Sequence, residues 1–238
     1  MELIPITGLP EIARAANLAG LIAEAVAAQG DELRLHDVVV VTQKIVSKAE
    51  GAMAEVDPED PLSHKPLVER ESVRILRRRG DLIISETRHG FVCANAGIDL
   101  SNVARGYAAL LPEDPDRSAR RIRDGLRARA GVRVGVIVSD TFGRTWRRGV
   151  TDVAIGSAGL RPVLDLRGTQ DAYGRELQVT EVAVVDEIAG AAELVMGKAT
   201  GVPVAIVRGV QPEAFLDEGE HAGVLTHLVR TPAEDLFR

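Results

Sequence analysis

The sequence predicts an α/β fold, or a mixed α+β fold, from three observations. Two runs rich in valine, Val38–Val41 and Val132–Val138, have the length of strands, and the first is apolar on both faces, which is typical of a strand covered on both sides. Helix-like stretches with Ala, Leu and Ile at helical spacing separate them. Aromatic residues make up only 3% of the chain, so the core is expected to consist of Val, Ile, Leu and Ala.

The expected elements follow from hydrophobic spacing and from turn residues. In the first half we expect an extended segment at Leu3–Ile6, a helix at Glu11–Gln29, the strand Val38–Val41, a loop at Asp57–Pro66, a helix at Val68–Arg79, and strands at Leu82–Glu86 and Phe91–Ala94. In the second half we expect a helix at Arg117–Ala130, the strand Val132–Val138, a turn-rich stretch at Gly149–Gly168, a strand or helix start at Val179–Val185, a helix at Asp186–Met196, a turn at Gly197–Pro203 and a strand at Val204–Val207.

Charge and cysteine content exclude several classes of function. The net charge of −6 gives no electrostatic reason to expect nucleic acid as a partner. The basic clusters Arg74–Arg79 and Arg117–Arg129 are interpreted as solvated helix faces, with a polyanion site as the alternative. The single cysteine, Cys93, allows no intrachain disulfide and is interpreted as a buried thiol. Neither a signal pattern nor a membrane-length apolar run is found, so a cytoplasmic protein is expected.

The first candidate for chemistry is the segment Ser139-Asp140-Thr141, which follows the second valine-rich strand. It sets a carboxylate beside a hydroxyl at the carboxyl end of a strand, where α/β folds usually bind ligands. Both are oxygen ligands that hard divalent cations prefer. Arg144, Arg147 and Arg148 follow, and they could neutralise phosphate or carboxylate oxygens. The alternative is a helix N-cap at Asp140 with arginines that are only surface charge.

A second acidic loop, Asn95–Asn102, contains Asp99 among small and polar residues. It could supply a second metal carboxylate, or it could be a turn held by Asx hydrogen bonds. The segment Thr42–Lys48 brings lysines to the end of the first valine-rich strand, where they could contact phosphates. It is not a P-loop, because the chain has neither GxxxxGK[ST] nor GxGxxG. His89 could serve as a general base or an anion ligand.

Five strings occur in one order along the chain: GLPE from Gly8, VVVVTQKIVSKAEG from Val38, ETRHGFVCANAGIDLSN from Glu86, SDTFGRTWRRGVTDVAIG from Ser139, and MGKATGVP from Met196. Together they resemble the coenzyme F420-0:γ-glutamyl ligase family. The resemblance covers roughly Leu3 to Gly209. It implies a GTP-dependent ligase that joins L-glutamate to coenzyme F420-0 through an acyl phosphate and then adds further γ-linked glutamates. The implied fold is an unusual α/β arrangement that forms an intertwined homodimer.

The resemblance also implies roles for particular residues. Asp99 and Asp140 would be catalytic, and with Thr141 they would hold Mg²⁺ or Mn²⁺, with K⁺ as an optional further ion. The GTP-binding residues would be Leu9, Pro10, Glu11, Ile12, Gln43, Lys48, Asn102, Met196, Gly197, Lys198, Ala199, Thr200, Gly201, Val202 and Pro203. We expect His89, Arg144 and Arg147 to orient the acceptor carboxylate or the glutamate.

Some relatives continue into a nitroreductase-like flavin domain, whereas this chain is expected to form one ligase module over residues 1–238, which could divide into two intertwined subdomains. Two alternatives remain open on the local residues. The acidic loops suit a metal-dependent phosphotransferase or phosphohydrolase acting on a small phosphate ester equally well. The other alternative is a nucleotide-binding regulatory module without catalysis.

Overall fold

The computed structural model describes residues 1–235, which form a mixture of strands and helices. The strands are β1 (Glu2–Ile6), β2 (Val38–Thr42), β3 (Met53–Glu55), β4 (Ser72–Arg79), β5 (Leu82–Thr87), β6 (Val92–Ala94), β7 (Tyr107–Ala109), β8 (Gly135–Gly143), β9 (Val150–Ala158), β10 (Leu164–Asp165), β11 (Glu181–Val182) and β12 (Val204–Arg208). The α-helices are α1 (Leu18–Ala28), α2 (Gln43–Glu50), α3 (Lys65–Glu71), α4 (Pro115–Ala130), α5 (Val184–Met196) and α6 (Val224–His227). The predicted mixed α/β class is confirmed.

The main sheet has the strand order β1-β12-β2-β8-β9. Within it β2 and β8 are parallel, and the other neighbouring pairs are antiparallel. Val38–Val41 are all fully buried. Since successive side chains of a strand point to opposite faces, both faces of β2 are covered. Helix α4 packs on β8 and β9, α1 packs on α4, and α5 contacts β1, β12 and β9. The sheet is therefore the rigid centre of the molecule.

A smaller part of the chain surrounds a second hydrophobic cluster, formed by Val68, Ile83, Ala96, Ile98 and Ala108. It includes the pair β3-β7 and the three-stranded sheet β4-β5-β6. The edge strand β4 is largely exposed along its length.

The helix predicted over Val68–Arg79 is wrong in its second half. Helix α3 ends at Glu71, and Ser72–Arg79 form β4, which pairs antiparallel with β5. Arg79 pairs with Leu82, so Gly80 and Asp81 form a tight hairpin turn in which Gly80 has φ +55°. Such turns favour glycine because its positive φ costs nothing. The basic cluster Arg74–Arg79 therefore lies on a strand, whereas the second basic cluster lies on α4 as predicted.

Two further boundaries differ from the predictions. Helix α1 begins at Leu18 and not at Glu11, because the Asn17 side chain accepts a hydrogen bond from the Gly20 backbone and caps the helix there. The stretch expected to be rich in turns contains β9, which pairs with a long β8. Asp140 consequently lies inside a strand, and the predicted loop or N-cap at this position is wrong.

The predicted strands β2, β5, β6 and β12 and the predicted helices α4 and α5 are confirmed, with boundaries shifted by a few residues. None of the helices within residues 1–235 combines the length and the apolar character needed to cross a membrane.

The contact between β9 and the start of α4 leaves no room for a side chain at Gly156. A Cβ there would lie 2.3 Å from the carbonyl carbon and oxygen of Pro115. We expect Gly156→Ala to lower the free energy of unfolding by about 1–3 kcal/mol in urea titration, because backbone must move. Gly143→Ala is the matched control in β8, since a Cβ there meets nothing within 4 Å. Equal stability of the two variants would contradict this packing.

Candidate functional site

A cleft of about 1010 Å³ opens where the parallel strands β2 and β8 end. Thr42 and Ser139, which are paired in register at these ends, both line it. The carboxyl ends of parallel strands are the usual ligand-binding edge of an α/β sheet. The remaining walls come from three segments: the turn after β1, the loop that contains Asp99, and the turn after α5.

Asp99 is held at the cleft by its backbone and by a lysine. Its N–H and C=O pair with Ala109 at 3.0 and 2.8 Å. Its Oδ2 lies 2.8 Å from Nζ of Lys44, and its Oδ1 accepts a hydrogen bond from the Ser101 N–H at 2.7 Å. Burial favours the neutral acid, but the bonds from Lys44 and Ser101 outweigh it and lower the pKa of Asp99 below its usual value. Asp99 is therefore a carboxylate at neutral pH.

The charged form of Asp140 is stabilised less than that of Asp99. Burial, with the charges of Asp99 and Asp152, raises the pKa of Asp140 to about 7, against the lowering effects of the Thr141 N–H and the charge of Lys44. Among residues 1–235 no lysine or arginine forms an ion pair with Asp140. The carboxylate is thus poised to accept a cation.

The cysteine beside this acid is inert. Burial, together with the charge of Asp140, raises the pKa of Cys93 to about 12, which confirms the predicted buried thiol.

Two polar side chains of the β8-β9 pair, Thr141 and Asp152, contact Lys198 in the turn after α5. Thr141 and Asp152 are partners in the antiparallel register. The Asp152 carboxylate accepts hydrogen bonds from Thr141 Oγ1 at 2.7 Å and from Ser139 Oγ at 3.2 Å. Lys198 Nζ lies 2.6 Å from Asp152 Oδ1, and it also reaches Thr141 and Glu193. The cleft therefore contains two groups of paired charges: Lys44 with Asp99, and Lys198 with Asp152 and Glu193.

Most residues that the resemblance implies for GTP line this one cleft. They are Leu9, Pro10, Glu11, Ile12, Gln43, Lys48, Asn102, Gly197, Lys198, Ala199, Gly201, Val202 and Pro203. Asn102 connects two of the walls, because its side-chain amide donates to the Lys198 carbonyl at 3.5 Å. Met196 and Thr200 do not line the cleft: Met196 is fully buried in the core, and the Thr200 hydroxyl donates to its carbonyl. The predicted metal residues Asp99, Asp140 and Thr141 line it as well.

The three residues expected to orient substrate do not line this cleft. His89 Nε2 lies 3.0 Å from the Pro112 carbonyl and 3.1 Å from that of Glu113, and its ring stacks on Phe91. Burial and the nearby Arg88 lower its pKa, so the ring is neutral. Arg144 and Arg147 are exposed in the turn between β8 and β9. Within one chain, then, His89 contacts the segment that precedes α4, and the two arginines lie in the turn of the β8-β9 hairpin.

Two charged residues of the cleft were missed in the sequence, Asp152 and Glu193. Lys44 belongs to the segment Thr42–Lys48, whose lysines were expected to contact phosphates, and it lines the cleft on the same helix as Lys48. Asp152 occurs within the TDVAIG string, but its contact with Thr141 depends on the strand register. Glu193 was missed because it lies in helix α5, and charged residues of a helix usually belong to its solvated face.

The family model described as F420-0:Gamma-glutamyl ligase matches residues 7–209. The chain belongs to this family. It is 46% identical to the coenzyme F420:L-glutamate ligase of Methanopyrus kandleri, with 93% of this chain and 91% of the relative covered. The enzyme of the same name from Methanothermobacter thermautotrophicus is also 46% identical, over 100% and 99% of the two chains. The relative from Methanocaldococcus jannaschii is 37% identical over 93% and 90%. The resemblance and the ligase class are confirmed.

This family implies a divalent cation, and two carboxylates of the cleft could bind one. The charge of Asp99 raises the pKa of Asp140, and Asp140 forms no ion pair with a lysine or arginine in the described part of the chain. Within residues 1–235, however, no three His, Cys, Asp or Glu side chains form a metal-binding group. The ion would be held by Asp99 and Asp140 and would complete its coordination with water and phosphate oxygens, which is usual for Mg²⁺. Thr141 differs, because the ammonium of Lys198 already contacts its hydroxyl.

The raised pKa of Asp140 predicts a pH-dependent stability in EDTA. A carboxyl with a pKa near 7 in the folded chain and about 3.9 in the unfolded chain makes folding less favourable as the pH rises from 4 to 7. Asp140→Asn removes this loss. We expect the variant to exceed the wild type in free energy of unfolding by about 1 kcal/mol or more at pH 8, with the advantage gone near pH 4. A constant difference across that range would contradict the assignment.

Proposed function

We propose that this chain joins L-glutamate to coenzyme F420-0 and adds further γ-linked glutamates, using GTP and Mg²⁺ or Mn²⁺. Support comes first from the relatives, which are named coenzyme F420:L-glutamate ligases and match nearly the whole chain. The observation that carries the proposal is that one cleft gathers the two acids Asp99 and Asp140 with the lysines and turns expected to bind a nucleotide. A volume of about 1010 Å³ is at the upper end of the range of small-molecule sites.

The chemistry explains why such a site would need a nucleotide. A carboxylate does not react with an amine at a useful rate, since an oxide is a poor leaving group. An oxygen of the F420-0 carboxylate would attack the γ-phosphorus of GTP, and the bond to the β-γ bridging oxygen would break, so that GDP leaves. The glutamate amine would then attack the carbonyl carbon of the acyl phosphate. The C–O bond to phosphate breaks, phosphate departs, and the amine proton is lost.

The residues of the cleft suit these two steps. Lys48 and Lys44 lie on α2 at the end of a buried strand, and their ammonium groups would stabilise phosphate oxygens. Asn102 would orient the nucleotide. A divalent ion held by Asp99 and Asp140 would offset the charge that builds on the transferred phosphoryl group. The cleft walls would exclude water from the acyl phosphate, which otherwise hydrolyses.

The test is incubation with F420-0, L-glutamate, GTP and Mn²⁺ or Mg²⁺, followed by mass spectrometry. We expect products that are heavier by whole glutamate units, with GDP released over many turnovers only when both other substrates are present. GTP hydrolysis without them would favour the phosphohydrolase alternative. Tight GTP binding without turnover would favour the regulatory module.

Asp140→Asn should lower ligase turnover by ~100-fold or more, because the divalent ion that would offset the developing phosphoryl charge loses one of its two carboxylate ligands. Circular dichroism should show an intact fold. Asp124→Asn is a matched control, since that aspartate lies exposed on α4 and does not line the cleft. Near-normal turnover of Asp140→Asn at saturating metal would refute the role of this acid.

We also propose that the chain forms a homodimer through β4. This edge strand presents apolar side chains to solvent, among them Val73 at 69% and Leu76 at 43% exposure. An unpaired edge with exposed apolar residues favours pairing with another chain.

The expected mass in size-exclusion chromatography with light scattering is that of a dimer. Charge introduced by Val73→Asp with Leu76→Asp should shift it to a monomer. Val179→Asp, at another residue with high exposure (85%), is the control and should leave the dimer intact. A monomeric wild type, or a double variant that stays dimeric, would contradict the proposal.

A further inference from the structure

We propose that the ammonium group of Lys198 is a built-in cation of the cleft, occupying the position beside Thr141 so that each chain binds one divalent ion and not two. The inference deepens the proposed function, because it concerns how the same cleft balances the charge of its acids and of a nucleotide.

The geometry around Lys198 is that of a bound cation. Three oxygens surround Nζ: Asp152 Oδ1 at 2.6 Å, Glu193 Oε1 at 2.8 Å and Thr141 Oγ1 at 2.5 Å. An ammonium carries three N–H donors and no acceptor, so all three donors are matched. Two carboxylates and a hydroxyl are also the oxygen types that a hard divalent ion would take. The amine therefore fills a set of ligands that an ion could otherwise use.

The oxygens in this set cannot easily turn away. The Asp152 side chain is only 2% exposed, and hydrogen bonds from Ser139 and Thr141 fix it in the β8-β9 pair. A buried carboxylate needs a cation or several donors nearby, because removing its charge from water is costly. The sheet thus presents a fixed negative charge at this wall.

Lys198 reaches that charge because α5 ends at Met196, two residues before it. Gly197 has φ +62°, and its N–H still bonds to the Glu193 carbonyl, so the chain reverses direction at the end of the helix. The side chain of Lys198 then lies over the last turn, between Glu193 and the sheet. Nζ of Lys198 donates to the Asp152 carboxylate and pairs with that of Glu193, and these two negative charges favour the ammonium form.

The surroundings of Lys44 and Asp140 differ from those of Lys198 and leave room for one divalent ion. Lys44 contacts one carboxylate, Asp99, and one hydroxyl, that of Ser101. Asp140 has no ion-paired lysine or arginine in the described part of the chain. A divalent ion can therefore bind between Asp99 and Asp140, whereas beside Thr141 it would have to displace an ammonium from three oxygens.

The test counts bound Mn²⁺ by electron paramagnetic resonance, at saturating non-hydrolysable GTP analogue and after subtracting the Mn²⁺ that the analogue binds alone. The variants are Lys198→Met, which keeps the length of the side chain without its charge, and Lys198→Arg, which keeps the charge. We expect Lys198→Met to bind one more Mn²⁺ per chain than the wild type, and Lys198→Arg to match the wild type. Equal counts in wild type and Lys198→Met would overturn the proposal, including the case in which the nucleotide draws Lys198 away and both bind two.

Thermal unfolding gives a second readout that needs no turnover. Without metal, Lys198→Met should melt below the wild type, because Asp152 keeps its charge and loses its cation. Added Mn²⁺ should raise the melting temperature of Lys198→Met more than that of the wild type. An equal rise in both would also overturn the proposal. Neither readout depends on ligase activity, so a failure of the proposed function would be seen separately, as absent glutamate addition with these metal effects unchanged.

Discussion

Strands β8 and β9 pair with a one-residue shift in register, and this shift determines which side chains meet at the cleft. Val138 pairs with Gly156, but the next residue, Ser139, pairs with Ala154, so that one residue of β9 is skipped. Without this bulge Asp152 would lie opposite Phe142, whereas with it Asp152 lies opposite Thr141. A shift of one residue exchanges the faces of a strand. The bulge therefore builds the Thr141–Asp152 contact, and Lys198 is drawn to it.

Charge balance within the cleft follows from that arrangement. Asp152 and Glu193 are neutralised by Lys198, and Asp99 is paired with Lys44. Asp140 has no ion-paired lysine among residues 1–235. Burial, and then repulsion from Asp99 and Asp152, raises its pKa, and the same repulsion favours a bound cation. In this account, an acid of β8 that has no ion-pair partner among residues 1–235 is the reason that the cleft would bind a metal–nucleotide complex.

The sequence was sufficient for the parts that depend on local pattern. The four-valine run of β2 and the valine-rich start of β8 predicted buried strands, although β8 continues through Asp140 instead of ending before it. The β4 strand was missed because its arginines, spaced among Ile75 and Leu76, also fit a solvated helix face. Asp152 was missed for a different reason, since strand register and bulges are set by pairing between distant segments and leave no period in the sequence. His89 is the opposite case, because a distinctive motif suggested a role at the site. In the folded chain its Nε2 lies within hydrogen-bond distance of the Pro112 and Glu113 carbonyls instead.

The central claim is that the cleft activates a carboxylate by transferring the γ-phosphoryl group of GTP to it. The most direct measurement follows the oxygen atoms, with F420-0 that carries ¹⁸O in its reacting carboxylate, together with GTP and L-glutamate. If an acyl phosphate forms, one ¹⁸O passes from the carboxylate into the released inorganic phosphate, and mass spectrometry of that phosphate will detect it. Unlabelled phosphate released alongside the glutamylated product would contradict the account.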